Sequence, residues 1–420
     1  MKSYPAYKHS GVPWLGEIPE HWGIQRFANT FRERKTKVSD KEYPPISVTK
    51  QGILPQLEKV AKTDNGDNRK LVREGDFVIN SRSDRKGSSG ISAYTGSVSL
   101  INHVLIPMEG WDRSFLHHLL RSVPFQEEFY QKGHGIVADL WTTRYSDISS
   151  SYLPVPPLSE QAAIATYLDK KCGEVDEMVR RRQAIIERLR ELKQALIAKA
   201  VTKGLHPEVP MKDSGIPWLG EIPEHWTKHR ISFLLKSIST VGSDKDELLS
   251  VYLDRGVIRY SDSDGTQVHK PSRDMSAYQK VMPGDFVCNN QQAWRGSVGV
   301  SCFEGRISPA YFIFRLSPLL LPSYANYFFR SAAWNPSFVY SSKGVGSIQR
   351  NLYLPWLKQQ HCYLPPASEQ SAIVAYLDQK CAAIDELISR HGQIVEKLKE
   401  LKASTIAHVV TGKVDIREGA

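Results

Sequence analysis

Cysteine is scarce in this chain: five residues of 420, Cys172, Cys288, Cys302, Cys362 and Cys381, with no CxxC pair among them. That spacing supports neither a zinc ribbon nor a disulfide framework, and the five read as reduced thiols. Long apolar runs are missing too. Stretches such as AYFIF at 310–314 and LLL at 319–321 fall far short of the ~18 residues that span a bilayer, so no membrane partner is expected. The opening MKSYPAYKHSG lacks the apolar core of a secretory signal, which makes the cytoplasm the expected compartment. There is no basic tail. The net charge of +10 is spread evenly, with 31 basic and 25 acidic residues in 1–210 against 24 and 20 in 211–420. Such an excess favours a polyanion such as nucleic acid without deciding it. The remaining composition, 41% hydrophobic and 24% charged, is that of a globular protein, and 420 residues call for about two to four domains.

What the chain does have is an internal duplication. SGVPWLGEIPEHW at 10–22 returns as SGIPWLGEIPEHW at 214–226, identical at 12 of 13 positions. REGDFVIN (73–80) matches MPGDFVCN (282–289), and SEQAAIATYLDKKCGEVDEMV (159–179) matches SEQSAIVAYLDQKCAAIDELI (368–388) at 12 of 21 positions. The last two pairs share an offset of 209, which holds from residue 73 to the end of each half. A period this long is a domain duplication and not a solenoid.

Each half divides again. About 150 residues of mixed short β-rich runs and helical stretches end at a proline cluster, LPVPPLSEQ or YLPPASEQ. The Ala-, Leu-, Glu-, Lys- and Arg-rich stretch that follows predicts one long helix, with Ser159 and Ser368 as N-caps and Glu160 and Glu369 near the positive end of the helix dipole. Its apolar spacing is heptad-like: Ile164, Leu168, Val175, Met178, Ile185, Leu189, Leu192 and Leu196, with polar interruptions at Lys171 and Arg182. The second copy has Ile373, Leu377, Ile384, Leu387, Ile394, Leu398 and Leu401, interrupted at Lys380 and His391. A 3.5-residue stripe needs a partner helix, and the nearest is the other copy, packed antiparallel. Two ordinary core helices are the alternative. The fold class is therefore α+β, a mixed α/β chain with two tandem globules separated by an antiparallel two-helix coiled coil in a pseudo-twofold arrangement.

Catalytic signatures are absent or weak. Asn335-Pro336-Ser337-Phe338 is the nearest approach to a methyltransferase's Asn/Asp-Pro-Pro-aromatic tetrad, but serine holds the third place and no glycine-rich loop precedes it, so it reads as a turn. Thr411-Gly412-Lys413 lacks the upstream glycine of a phosphate loop. Glu191-Leu192-Lys193 reads as a solvated helix flank, and the adjacent His117 and His118 cannot share one helix face as metal ligands would. Asp76 and Asp285 sit in Gly-Asp turns and read as structural. No metal or cofactor is expected.

The variable positions carry more. After each GDFV strand comes a segment at the same offset: Asn80, Ser81, Arg82, Ser83, Asp84, Arg85, Lys86, Gly87 in one copy and Asn289, Asn290, Gln291, Gln292, Ala293, Trp294, Arg295, Gly296 in the other. Arg pairs with guanine edges, Asn and Gln with adenine, and Lys and Arg neutralise phosphate. Arg82, Arg85, Lys86, Gln291, Gln292, Trp294 and Arg295 are accordingly candidate DNA contacts. A second matched place is Gly133-His134-Gly135 against Lys343-Gly344-Val345-Gly346, where the glycines would let backbone approach phosphate and His134 and Lys343 would make contact. Polar surface loops of any globular domain remain the alternative.

With these features together, the chain resembles the specificity subunit of type I restriction-modification enzymes over residues 10–413. The resemblance rests on the two half-length repeats, the proline cluster running into SEQ-x-A-I-x-x-Y-L-D at 159–169 and 368–378, the PWLGEIPEHW openings, the Gly-Asp strands and the ELK-rich helices. It implies two target recognition domains, 1–158 and 205–367, each reading half of a split sequence in double-stranded DNA. It also implies spacer helices at 159–204 and 368–413, followed by a tail at 414–420. The spacer, through residues such as Leu168, Leu189, Leu196, Leu377, Leu398 and Leu401, would dock two methyltransferase subunits, and restriction subunits can join them. The chain itself would be non-catalytic. A coiled-coil adaptor without sequence preference, or a DNA-binding protein outside restriction-modification, is the competing reading.

Overall fold

The computed structural model describes residues 2–56, 66–135, 141–253, 255–263, 271–272, 274–344 and 350–417. Val345 and Gly346 lie outside them. The chain forms two compact units, Met1–Gln183 with Gln393–Ala420, and Ala184–Gly392. Each unit is thus built from parts of both long helices, which run over Leu158–Lys203 and Ala367–Val410. Among the described residues no helix is long and apolar enough to cross a membrane.

In the first unit a four-stranded antiparallel sheet is ordered Ser89–Ile91, Phe77–Asn80, Asn102–Pro107, Phe31–Glu33. In the second unit the corresponding order is Val298–Val300, Phe286–Asn289, Tyr311–Leu316, Leu235–Ile238. The Gly-Asp turn that launches the central strand is built alike in both. Gly75 and Gly284 take φ of 85° and 89°, a region an L side chain rarely enters. Asp76 and Asp285 then accept the backbone N–H groups of Arg73 (2.8 Å) and Met282 (2.9 Å). Arg34 binds Asp76 with two bonds of 2.7 and 2.9 Å, and Arg315 Nε binds Asp285 at 2.8 Å. Both carboxylates are committed to the turn.

The sheet's helix-facing side packs on the Arg113–Arg121 and Val123–Gln131 helices in the first unit and on Pro322–Arg330 and Asn335–Tyr340 in the second. The first core joins Trp22, Phe27, Phe77, Phe115 and Phe125 to Ile164 and Leu168 of one long helix and Val409 and Val410 of the other. The second joins Trp226, Phe286, Phe329 and Trp334 to Ile197, Val201, Ile373 and Leu377. The Asn335-Pro336-Ser337-Phe338 segment is not a turn but the start of the short helix, because proline is tolerated in the first helical turn and Phe338 is fully buried there.

The junction between globule and long helix accounts for the longest repeated motifs. Trp22 Nε1 and His21 Nε2 bond the Glu160 carboxylate at 3.1 and 2.8 Å, and Tyr4 donates to it at 2.6 Å. Trp226 and His225 hold Glu369 likewise at 3.2 and 2.8 Å. Gln161 accepts Asp112 N and donates to Pro156 O, while Gln370 accepts Leu321 N and donates to Pro365 O. The Asp of Y-L-D is matched too: Asp169 meets His118 and Asp378 meets Tyr327, each at 2.7 Å and one repeat apart. This junction displaces the expected caps. The helices begin at Leu158 and Ala367, so Ser159 and Ser368 lie inside the first turn, and backbone N–H groups of that turn bond the carbonyls of Pro157 and Pro366.

The long helices run antiparallel. In the first unit Lys402 Nζ bonds both oxygens of Asp176 at 2.7 Å, and in the second Lys193 Nζ bonds Asp385 at 2.7 and 2.6 Å. Shifting Asp176 and Lys193 by 209 gives Asp385 and Lys402, so the two ion pairs are copies of one contact. Buried and half-buried positions run through Cys172, Val175, Val179, Arg182, Ile186, Leu189, Lys193 and Leu196, and through Cys381, Ile384, Ile388, His391, Val395, Leu398 and Lys402 in the second copy. The heptad of the sequence is therefore corrected by one residue at alternate steps. Met178, Ile185 and Leu192 are exposed, as are Leu387 and Leu401, because long polar stems at Arg182, Lys193 and Lys402 occupy part of the seam while reaching water with their heads. Leu401 belongs to the outer stripe. Leu168 and Leu377 are fully buried, and Leu189, Leu196 and Leu398 are half-buried.

Candidate nucleic-acid interface

In the first unit the two candidate places are joined by a short strap, residues 141–143. Arg82 and His134 both make antiparallel bridges to Thr142, one from each side. Directly opposed residues of antiparallel strands project to the same face, so Arg82, Thr142 and His134 form one row of side chains. Backbone bonds fix the row: Thr143 N to Ser81 O at 3.0 Å, Ser83 N to Trp141 O at 2.9 Å, and His134 N to Thr142 O at 3.2 Å. Gly133 also serves this packing. A Cβ there would lie 3.1 Å from Tyr130 O and 3.3 Å from Thr143 Oγ1, tighter than ordinary contact.

A half-buried polar cluster supports the strap. His103 Nε2 meets Thr143 O at 2.9 Å and its Nδ1 meets Glu33 at 3.0 Å, with Lys70 3.6 Å from the same carboxylate. Burial pushes the Glu33 carboxyl up, but the His103 hydrogen bond and the charges of His103, Lys70 and Lys35 outweigh it and hold it below the ordinary range. On the row itself every sequence-predicted cation has a carboxylate. Arg82 and Arg85 lie 3.0 and 3.6 Å from Asp84, Lys86 pairs with Glu127, and His134 is 3.8 Å from Asp147. The Ser83–Arg85 turn of 3-10 helix sets Asp84 between the two arginines.

The second unit repeats the frame one period later. Leu352 N bonds Asn290 O at 2.9 Å, matching Thr143 and Ser81, and Lys343 pairs with Asn351 as His134 pairs with Thr142. The side chains on the frame are different in kind. Gln291 is exposed and Gln292 half-buried, and the Ala293–Arg295 turn carries Trp294, whose indole N–H bonds Gln291 O at 3.0 Å. The Arg295 guanidinium lies over the Trp294 ring at 4.7 Å, and that of Arg350 at 5.5 Å. Lys343 Nζ sits 3.6 Å from the Tyr353 ring centre and 4.7 Å from that of Trp356. Among the described residues neither Arg295 nor Lys343 pairs with a carboxylate.

All nine candidate DNA contacts are thus at the surface or half-buried, and in each unit the two separate sequence places converge on one frame. Thr142, Asn351, Arg350, Tyr353 and Trp356 had gone unnoticed in the sequence. Their signal was available, because 142 and 351, like 134 and 343, stand 209 apart. Among the described residues no group of three His, Cys, Asp or Glu side chains could hold a metal.

No family model matches the chain. It is 23% identical to the type I restriction enzyme EcoKI specificity subunit of Escherichia coli K12 over 440 residues, covering 95% of this chain and 90% of that protein. Identity to the EcoBI specificity subunit of Escherichia coli is 26% over 287 residues, covering 64% of this chain and 59% of that one. A chain solved in work on complex assembly and conformational transition of the type I R-M system superposes with a TM-score of 0.65 at 18% identity, covering 94% of this chain and 99% of its own. The chain is related to the type I specificity subunits. The superposition shows that this chain shares the fold of that solved chain over nearly its whole length.

Proposed function

We propose that this chain is the DNA-reading subunit of a type I restriction-modification assembly, with residues 1–158 and 205–367 each reading one half of a bipartite target in double-stranded DNA. The observation that carries the reading is the duplicated frame: strap-to-loop bonds of 3.0 and 2.9 Å at matched positions, bearing cations and a histidine in one copy and amides, tryptophan and cations in the other. A fixed scaffold with exchanged surface chemistry is what reading two different half-sites requires. Base-edge contacts fall to Arg82, Gln291, Gln292 and Arg295, and phosphate contacts to Arg85, Lys86, His134 and Lys343, with Trp294 beside them.

The chain carries no catalysis of its own in this reading, and the long helices dock the modification subunits. Their exposed Met178, Ile185 and Leu192, matched by Leu387 and Leu401, form an apolar stripe of the kind a partner helix covers. Restriction subunits join through that assembly. The test is exchange of residues 23–152 for the equivalent region of a relative, read by methylome sequencing of the host. One altered half-site is expected; alteration of both halves would contradict independent reading.

A further inference from the structure

We infer that the second unit binds its half-site with bases unstacked, using Trp294 and the Tyr353–Trp356 corner as stacking surfaces; this rests on the DNA-reading function proposed above. The ligand class is locally opened or single-stranded DNA. Four observations converge on the segment that runs from Arg350 to Trp356. Arg350 covers the ring of Trp294 from one side of the frame, and Leu352 ties that segment to the reading loop through Asn290. Tyr353 and Trp356 stand edge to face at 5.4 Å and 82°, an open corner. Both are well exposed, at 38% and 41%, which is unusual for rings of this size in a protein surface with no reason to show them. Among the described residues, the ammonium of the exposed Lys343 sits over both rings.

Cations resting on aromatic faces are held weakly where water has access. When a DNA strand arrives, Lys343 can swing to a phosphate and Arg295 to a base edge, leaving ring faces bare. A bare ring beside a phosphate-bound cation is the pairing by which proteins hold unstacked bases. An intact duplex offers no base face to such a ring, so the exchange favours a step that has opened. In the first unit Asp147 takes the position of Trp356 and the cations lie against Asp84, Glu127 and Asp147, so the exposed strap ring there, Trp141, has no aromatic corner beside it.

The experiment uses the full chain assembled with its modification subunits and target duplexes carrying one mismatched pair, moved step by step through either half-site. Binding should strengthen about tenfold for a mismatch under the second unit and not for one under the first. A 2-aminopurine at that step should brighten on binding, and Trp294→Leu with Trp356→Leu should abolish both effects, measured against the same variant's binding to the intact duplex. Target-specific binding with no gain from mismatches in either half, or equal gain in both, overturns the inference and leaves the function standing. Failure to prefer the target duplex at all would instead sink the function.

Discussion

The two reading frames differ in what their cations rest on. In the first unit Arg82, Arg85, Lys86 and His134 face carboxylates; in the second Arg295, Arg350 and Lys343 lie on aromatic rings. The carboxylates would sit beside DNA phosphates, so the first unit must break or displace its own ion pairs to bind. Such exposed pairs are worth about 0–1 kcal/mol each, small enough to exchange but large enough to suppress binding where no base edge compensates. The second unit gives up less to release Arg295 and Lys343 and gains ring faces. One backbone frame thus supports two electrostatic strategies, and the duplication separates what the fold requires from what recognition varies.

The largest expected effect tests the shared part. Trp22 and Trp226 hold equivalent glutamates at the globule–helix junction and are 0% and 2% exposed. Replacing either by Ala should cost about 3–5 kcal/mol in its own unit, by similar amounts, in hydrogen exchange resolved by region. A marked inequality would mean the junctions are not energetic copies.

A smaller effect separates the units by pH. Burial first, then the charges of Arg121 and His118, push His117 down to about 3, while the corresponding residue of the second unit is Asn326. Below its ordinary value of 6.5 the unfolded chain takes up a proton that the folded first unit refuses. Stability is therefore intact above about pH 6.5 and falls by ~1.4 kcal/mol per pH unit as acidity increases toward pH 3. Hydrogen exchange at pH 7 and pH 5 should show this loss in the first unit, and His117→Asn should remove the share due to His117, leaving that of His118, which burial also holds below its ordinary value.

The smallest effect sharpens the contrast at the loops. Asp84→Asn with Glu127→Gln frees the first unit's cations, and DNA affinity should rise a few-fold at low salt with relaxed preference in that half-site alone. Unchanged affinity would mean that those pairs do not restrain binding.

Much of this was legible in the sequence, because an offset of 209 held from residue 73 to the end of each half makes contacts there in one half a claim about the other. The repeats, long helices and Gly-Asp turns follow from local pattern. The helix seam was displaced because apolar residues fill two adjacent stripes, and Met178 is indistinguishable from Val179 by type alone. Ser159 reads as a cap only while the partners of Glu160, Trp22 and His21 more than a hundred residues earlier, are unseen. The strap escaped for the same reason: Thr142 reaches Arg82 across sixty residues of chain, and neither residue is distinctive.

The central claim, that one frame reads two half-sites with different chemistry, is tested most directly by two triple variants of the assembled methyltransferase. Arg82, Arg85 and Lys86 are replaced by Ala in one and Gln291, Gln292 and Arg295 in the other, and binding is measured to duplexes mutated in one half-site at a time across a salt series. Each triple should lose discrimination in its own half only, by about 1–3 kcal/mol per lost base contact, and the first should also flatten the salt slope more. Equal, sequence-independent weakening by both would contradict the account and reduce these loops to phosphate contacts.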